Sequence, residues 1–329
     1  MESRFYRKMQ EVSNRPLVSI GLPVYNEERF LRETIESLLA QDFQDFELII
    51  SDNASSDGTE KICREFVVLD RRVRYERSEA NRGAFVNFDR VFELASGKYF
   101  MWAGAHDLWS PWFVSRAVAA LEANPELVMA YPRSVVIDAE GHELGAVDDH
   151  FSMKPGSDLE RYTYLIWNLQ SCNMFHGLIR RQALPANGLR HVWGADIILL
   201  AELSLEGGFQ QLSDTFFYRR LIRPDEVQDE AWKKRALETV EGPKPSARHD
   251  MSLGQLFREM RNEELRLVWN SRLSFSRKMR ALVQTVKCAR NRYGVLLPAD
   301  VLIRGLASLR SPKLFFQKLR NRMNTAQHV

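Results

Sequence analysis

LVSIGLPVYNEERFLRETIESLLAQDFQDFELIISDNASSDGT, Leu17 to Thr59, decides the fold. Leu17 to Leu22 has the apolar character of a buried strand, and it runs into a polar loop. Phe30, Leu31, Ile35, Leu38 and Leu39 then recur at helical spacing. Phe46 to Ser51 is a second strand, ending in Asp52 and a polar turn that contains Gly58. The same alternation continues outward. TEKICREFVVLD predicts a helix, VRYERS a short strand, EANRGAFVNFDRVFELA a loop and helix, and KYFMWAGAHD a fourth strand. This βαβαβαβ order predicts a parallel sheet with helices on both faces. Right-handed crossovers bring the loops after the strands to one crevice, where open α/β sheets bind ligands.

Past the fourth strand, PWFVSRAVAALEANPEL predicts a helix capped after Ser110, with Pro111 early. VMAYPRSVVIDAEGHEL predicts two strand pieces with a turn at Glu140-Gly141. ERYTYLIWNLQSCN is helical, FHGLIRRQAL a strand and helix start, and GADIILLAELSLEGGFQQLSDTFFYRR helix, Gly-Gly stop and strand. The expected organisation is a leader at 1–15 and an α/β domain over 16–222 in two halves, 16–110 and 111–222. A mobile loop or lid over 223–250, polar and holding Pro224, Pro243 and Pro245, precedes a basic amphipathic helical region over 251–329.

Composition sets limits. With 45% hydrophobic and 27% charged residues, the 329-residue chain has an ordinary soluble-globular make-up. No apolar run reaches transmembrane length, and the N-terminus lacks the apolar core of a secretory signal. Cys63, Cys172 and Cys288 match neither a disulfide framework nor a zinc spacing, which fits three reduced thiols and a cytoplasmic location. The overall charge of +3 is uneven. Arg258 to Met323 holds sixteen Lys and Arg against four Asp and Glu, a local net of +12 that leaves the remainder at −9. LSFSRKMRALVQTVKCARNRYGVLL and SPKLFFQKLRNRM mix apolar faces with cations, as a helix lying on an anionic membrane surface does. A solvated appendage packed on the body is the alternative. No recognition motif supports nucleic-acid binding.

Four loops carry the polar chemistry: PVYNEE, SDNASSDGT, ANRGAF and AGAHD. Asp52 ends its strand with both oxygens free for a base or ribose. Asp57-Gly58-Thr59 opens a helix, where a plain N-cap is the competing explanation. Arg82 beside Gly83 suits a phosphate, or makes a simple turn. Glu27 and Glu28 sit in a first helical turn, where the dipole favours acids anyway. Order and spacing together, rather than any one residue, make the signal.

With these residues in place, Leu17–Thr59 and the later EANRGAFVNFDRVFELASGKYFMWAGAHD resemble the opening of glycosyltransferase family 2, which has the GT-A fold, a Rossmann-like, mostly parallel sheet flanked by helices. The resemblance extends over about residues 16 to 220. It implies that Pro23, Tyr25, Asn26 and Glu27 line the base and ribose pocket, and that Asp52 holds the base with Asn53 and Asp57 nearby. Arg82, Gly83 and Ala105 border the nucleotide. Asp107 binds the metal on the diphosphate, and Asp196 stands at the position of the catalytic base. Asp196 precedes an apolar helix after Gly194, so it can face a cleft; an N-cap is its alternative.

Two departures from the family pattern stand out. The family writes Asp-x-Asp-Asp where this chain has Gly104-Ala105-His106-Asp107. Mn²⁺ accepts imidazole, whereas Mg²⁺ prefers oxygen. His106 and Asp107 with diphosphate oxygens therefore suit Mn²⁺ over Mg²⁺; a metal-independent site and an inactive one stay open. Relatives also carry a histidine shortly after the Tyr-Arg pair, where this chain has Arg223. Arg219, Arg220 and Arg223 supply charge there, or form a solvated turn. On the acceptor side, His176 is a candidate against an ordinary structural histidine, and Trp193 offers a face to a sugar.

The expected activity is inverting, hexosyltransferase-type transfer from a nucleoside-diphosphate sugar (UDP favoured, GDP or dTDP open) to a glycan or lipid-linked hydroxyl. The setting is polysaccharide, glycolipid or other cell-envelope glycan synthesis, in the cytoplasm or peripherally at the inner face of the membrane. A non-catalytic nucleotide-sugar binder or scaffold is the second possibility. A nucleotidyltransferase fits poorly, because PVYNEE is not a Gly-rich, Lys/Arg-bearing loop.

Overall fold

The computed structural model describes residues 15–147, 153, 156–221, 230–243 and 246–293. The leader before residue 15, Arg223 and the chain from 294 onward lie outside the described residues.

The expected alternation is present. β1 (Val18–Val24), α1 (Leu31–Leu39), β2 (Phe46–Asp52), α2 (Thr59–Leu69), β3 (Val73–Arg77), α3 (Ala84–Leu94) and β4 (Tyr99–Trp102) follow in order. β5 (Leu108–Trp109), α4 (Phe113–Ala123), β6 (Leu127–Ile137), β7 (Glu143–Ala146) and α5 (Asp158–Asn168) come next. A 3₁₀ turn (Asn173–His176), β8 (Leu178–Arg180), α6 (Ala195–Glu206) and β9 (Gly208–Arg220) complete the sheet region. Then come α7 (Glu230–Glu241), α8 (Leu253–Asn270) and α9 (Phe275–Tyr293).

The sheet runs β3-β2-β1-β4-β8-β6-β9-β5, with β7 paired to β6. Its first four strands are parallel, as the crossover pattern requires. Beyond β4 it is mixed: β8 is antiparallel to β4 and β6, whereas β6 and β9 run parallel. Strand alternation divides the core. Val18, Ile20, Leu22 and Val24 of β1 face Leu31, Ile35 and Leu38 of α1 and Phe113 and Val114 of α4. Ile49, Phe100 and Trp102 face the other way, with Val91 and Phe92 of α3 and the apolar faces of α5 and α6. Burying both faces explains why these strands read as continuous apolar runs.

Two local expectations change. Ser110 does not cap α4. Its hydroxyl accepts the Phe216 N–H at 3.0 Å and its own N–H reaches the Phe216 carbonyl at 2.9 Å, so it ties the end of β5 to β9. The segment expected as a loop or lid carries α7 and a short 3₁₀ turn (Ala247–Asp250). Its prolines flank that helix rather than interrupt it, and buried Leu237 anchors it. The three cysteines are free thiols.

Candidate active site

The parallel strands β1 to β4 deliver four loops to one end of the sheet, and hydrogen bonds stitch loops together. Asn26, at φ 54°, donates its N–H to Ser55 Oγ at 2.9 Å and accepts the Ser56 N–H on Oδ1 at 2.8 Å. Glu27 N–H reaches Thr59 Oγ1 at 2.9 Å, and Glu28 N–H reaches Asp57 Oδ2 at 3.1 Å. Burial would raise the Asp57 carboxyl. The Thr59 hydroxyl and amide and the Glu28 amide outweigh that, and hold it below the usual range. Asp57 is therefore a strut between loops. Tyr25 is 45% exposed, with its ring available to a base. Pro23, the penultimate residue of β1, is partly buried.

Asp52 is a correction. Its oxygens are not both free: Oδ1 accepts the Ser55 N–H at 2.8 Å, and Oδ2 accepts the Tyr75 hydroxyl at 2.7 Å. Arg77 Nε lies 3.4 Å from the same Oδ2, and the side chain is fully buried. Tyr75 and Arg77 were missed in the sequence. Their signal was there, because i and i+2 on VRYER share one face of a strand adjacent to Asp52.

The third loop is organised by Asn53. Its Nδ2 donates to Asn81 Oδ1 at 2.8 Å and to the Gly83 carbonyl at 3.2 Å, and its Oδ1 accepts the Arg82 N–H at 3.0 Å. Arg82 is left with an exposed side chain. Gly83 has φ 85°, and a Cβ there would lie 2.6 Å from the Gly242 nitrogen. Gly242, at φ 89°, faces it closely too: a Cβ there would lie 2.9 Å from the Gly83 nitrogen. Two backbones thus meet where only glycine fits, docking the end of α7 on the Asn81–Gly83 loop. Arg248 bridges Glu241 and Glu259, both at 2.6 Å, and steadies that end.

The fourth loop holds the altered motif. His106 Nδ1 lies 3.3 Å from Glu27 Oε1. Burial lowers the His106 pKa, but the Glu27 hydrogen bond and the charges of Asp107 and Glu27 prevail, and the net shift is upward. Asp107 is buried. Its Oδ1 accepts the Arg220 N–H at 2.9 Å, and its carbonyl accepts the Thr34 hydroxyl at 3.0 Å. Ala105 is buried between Gly104 and His106. Among the described residues, no three His, Cys, Asp or Glu side chains gather as a metal site. The hydrogen bond from the Arg220 N–H falls on Asp107 Oδ1 and the Glu27 contact on His106 Nδ1, so neither engages Asp107 Oδ2 or His106 Nε2.

Arg220 is a second correction. It is buried rather than offered to a diphosphate. Its guanidinium donates to the carbonyls of His106 at 3.0 Å and Ala139 at 2.7 Å, and to Glu33 Oε2 at 2.7 Å. It clamps the motif loop from behind. Arg219, one residue earlier on the strand, points the opposite way and is exposed, 3.4 Å from Asn173 Oδ1.

The 3₁₀ turn before β8 connects the motif to Asp196. His176 donates Nδ1–H to the Trp102 carbonyl at 2.9 Å and stacks on Phe217 at 4.9 Å. Burial pushes its pKa down, against the pull of Asp107. It is a neutral, packed ring, not an exposed acceptor ligand. Cys172, at the start of the turn, has its thiol pushed well up by burial and by the neighbouring Asp196 carboxylate. Asp196 opens α6 after Gly194 and is partly exposed, with Oδ1 on the Ile197 N–H at 2.9 Å. Trp193 packs edge-to-face on Trp232 of α7 at 5.4 Å.

Three comparisons bear on this arrangement. A chain named "Putative teichuronic acid biosynthesis glycosyltransferase" from Bacillus subtilis is 32% identical over 134 residues, 41% of this chain and 50% of that one. The chain spans about half the length of the curated relatives it matches first. Among solved structures, S. aureus TarS in complex with UDP-GlcNAc matches with TM-score 0.63 at 17% identity, over 84% of this chain and 73% of that one. A mannosyltransferase from Pyrobaculum calidifontis, in complex with GDP-Man and Mn²⁺, matches with TM-score 0.52 at 17% identity, over 92% and 83%. These likenesses show the fold, which is GT-A. The profile described as glycosyl transferase family 2 matches residues 19–185, and the chain belongs to that family.

Proposed function

We propose that this protein is an inverting glycosyltransferase that moves a hexosyl group from a nucleoside-diphosphate sugar to an acceptor hydroxyl. The observation that carries it is the cross-bonded set of loops: Asn26–Ser55, Glu27–Thr59 and Asn53–Arg82 tie the loops together at the strand ends. Relatives and neighbours support a nucleotide-sugar donor, since TarS and the mannosyltransferase hold UDP-GlcNAc and GDP-Man. A UDP-sugar is favoured, with GDP and dTDP sugars the alternatives. The acceptor is a glycan or a lipid-linked sugar of envelope polysaccharide synthesis, met on the cytoplasmic side.

Tyr25 covers the base, the Asp52–Tyr75–Arg77 cluster forms the floor beneath it, and Arg82 faces the phosphates. Asp196 takes the acceptor proton as general base. One carboxylate then suffices, because a diphosphate leaving group needs no acid partner of the kind glycoside hydrolysis uses. His106 and Asp107 would hold Mn²⁺ in preference to Mg²⁺, which would neutralise the departing diphosphate. Arg219 adds charge on the acceptor side.

A second reading, a nucleotide-sugar binder without turnover, has one observation in its favour: Asp107 already spends an oxygen on the Arg220 N–H. Donor hydrolysis separates the two. Purified protein is given UDP-glucose, UDP-GlcNAc and GDP-mannose with Mn²⁺, Mg²⁺ or EDTA, and nucleotide release is followed. Release that stops in Asp196→Asn supports the transferase. Binding with no release or transfer from any donor favours the binder.

A further inference from the structure

We propose that α9 and its corner with α8 form a docking surface for an anionic lipid bilayer. Between Glu264 and Asp300 the sequence contains no acid and eight Lys and Arg. The structure says which way those charges face. One side of α9 is seated on the body. Ala281, Thr285, Val286, Cys288 and Ala289 are buried, and three bonds fix the seat to α5: Thr285 Oγ1 to the Tyr162 hydroxyl at 2.6 Å, Gln284 Oε1 to Trp167 Nε1 at 3.1 Å, and Cys288 Sγ to the Ile166 carbonyl at 2.9 Å. α9 is therefore a rigid part of the domain.

The other side is cationic. Arg280, Lys287 and Arg290 are exposed, and their spacing of seven and three places them along one stripe. Arg272 in the corner is exposed as well. None of these four pairs with a described carboxylate, whereas Arg277 does, with Asp158 at 2.9 Å. A solvated surface helix usually intersperses both signs; this stripe has one sign only. The corner adds apolar rings to the charge. Trp269, 39% exposed, ends α8, and Phe275, 56% exposed, begins α9, on either side of Arg272.

Cations beside exposed aromatic rings suit the headgroup layer, where rings enter the interface and Lys and Arg meet lipid phosphates. Charge alone would also suit RNA or an acidic protein; the ring pair at the corner is what favours a bilayer. No described helix is long and apolar enough to cross a membrane, so the contact is a surface one. The proposal deepens the transfer function, since a lipid-linked acceptor would be met at this face.

The test is co-sedimentation of the full chain with vesicles of phosphatidylglycerol and phosphatidylcholine, against pure phosphatidylcholine, at low and high salt. No sugar donor is present, so the outcome is separate from that of the transferase assay. Binding is expected only with phosphatidylglycerol and is weakened by salt. Arg280→Glu/Lys287→Glu lowers it about tenfold or more. Trp269→Ser/Phe275→Ser lowers it at constant charge. Far-ultraviolet circular dichroism of each variant reports whether it is folded. Equal binding to both vesicle types, wild-type binding by the folded variants, or a preference for a single-stranded RNA over vesicles overturns the proposal.

Discussion

Asp107 Oδ1 accepts the backbone N–H of Arg220 at 2.9 Å, joining the motif loop to the end of β9. Gly104 is part of the same arrangement. A Cβ at position 104 would lie against Asp107 Oδ2, closer than real Cβ contacts come. Any side chain at 104 and this orientation of Asp107 exclude each other. Gly104→Ala is expected to displace the carboxylate and destabilise the fold by about 1–3 kcal/mol, read by urea denaturation. Unchanged stability would show that Asp107 moves freely.

Arg220 serves the loop from behind, so its loss should show in stability before chemistry. Arg220→Ala strips donors from the carbonyls of His106, Asp138 and Ala139. A loss of about 3 kcal/mol or more is expected. Arg219→Ala, on the exposed side of the same strand, should leave the melting temperature within about a degree or two, as surface changes do. A larger effect from Arg219 than from Arg220 would reverse the assignment.

The Gly83–Gly242 contact couples the Asn81–Gly83 loop, proposed to border the nucleotide, to the end of α7. Gly83→Ala puts a Cβ into the Glu241–Gly242 backbone at a positive φ. Expected effects are a stability loss of more than about 1 kcal/mol and weaker UDP binding, measured by calorimetry. Unaltered UDP affinity in a destabilised variant would confine the contact to a structural role.

Two histidines should bend the pH profile in opposite directions. The folded His176 pKa is lowered from 6.5, so the unfolded chain binds the proton more readily. Its share of stability is complete above 6.5 and is lost as pH falls towards the folded value. The folded His106 pKa is raised from 6.5. Its share is complete below 6.5 and is lost as pH rises through the folded value. Denaturation midpoints between about pH 5 and 8, the range where histidines titrate, should show less acid loss in His176→Phe. His106→Gln should lose most at the acid end. A His106→Gln deficit that grows with pH would contradict the Glu27 pairing.

The parallel half of the sheet was legible because strand runs, helical spacing and turns agree over Leu17–Trp102. The antiparallel insertion of β8 was not, since Leu178–Arg180 is three residues long and takes its place from tertiary pairing with Phe100 and Met129. Asp52 was legible as a strand-end acid; Tyr75 and Arg77 share one face of VRYER, but their pairing with Asp52 depends on the register of the neighbouring strand. Arg219 and Arg220 look alike in sequence, and only their alternation on β9 separates an exposed cation from a buried clamp. α7 was hidden by flanking prolines and a polar composition. Its anchors, Leu237 and the Gly83–Gly242 contact, are long-range.

The most direct test of the central claim compares wild type with Asp196→Asn, measuring UDP-sugar or GDP-sugar binding by calorimetry and nucleotide release in parallel. Asp196 sits in the first turn of α6, on a different element from the four strand-end loops proposed to hold the nucleotide. The account predicts donor affinity unchanged within about twofold and release cut by about a hundredfold or more, as loss of a general base entails. Full release by Asp196→Asn, or no donor bound by wild type with any cation or with EDTA, would contradict it.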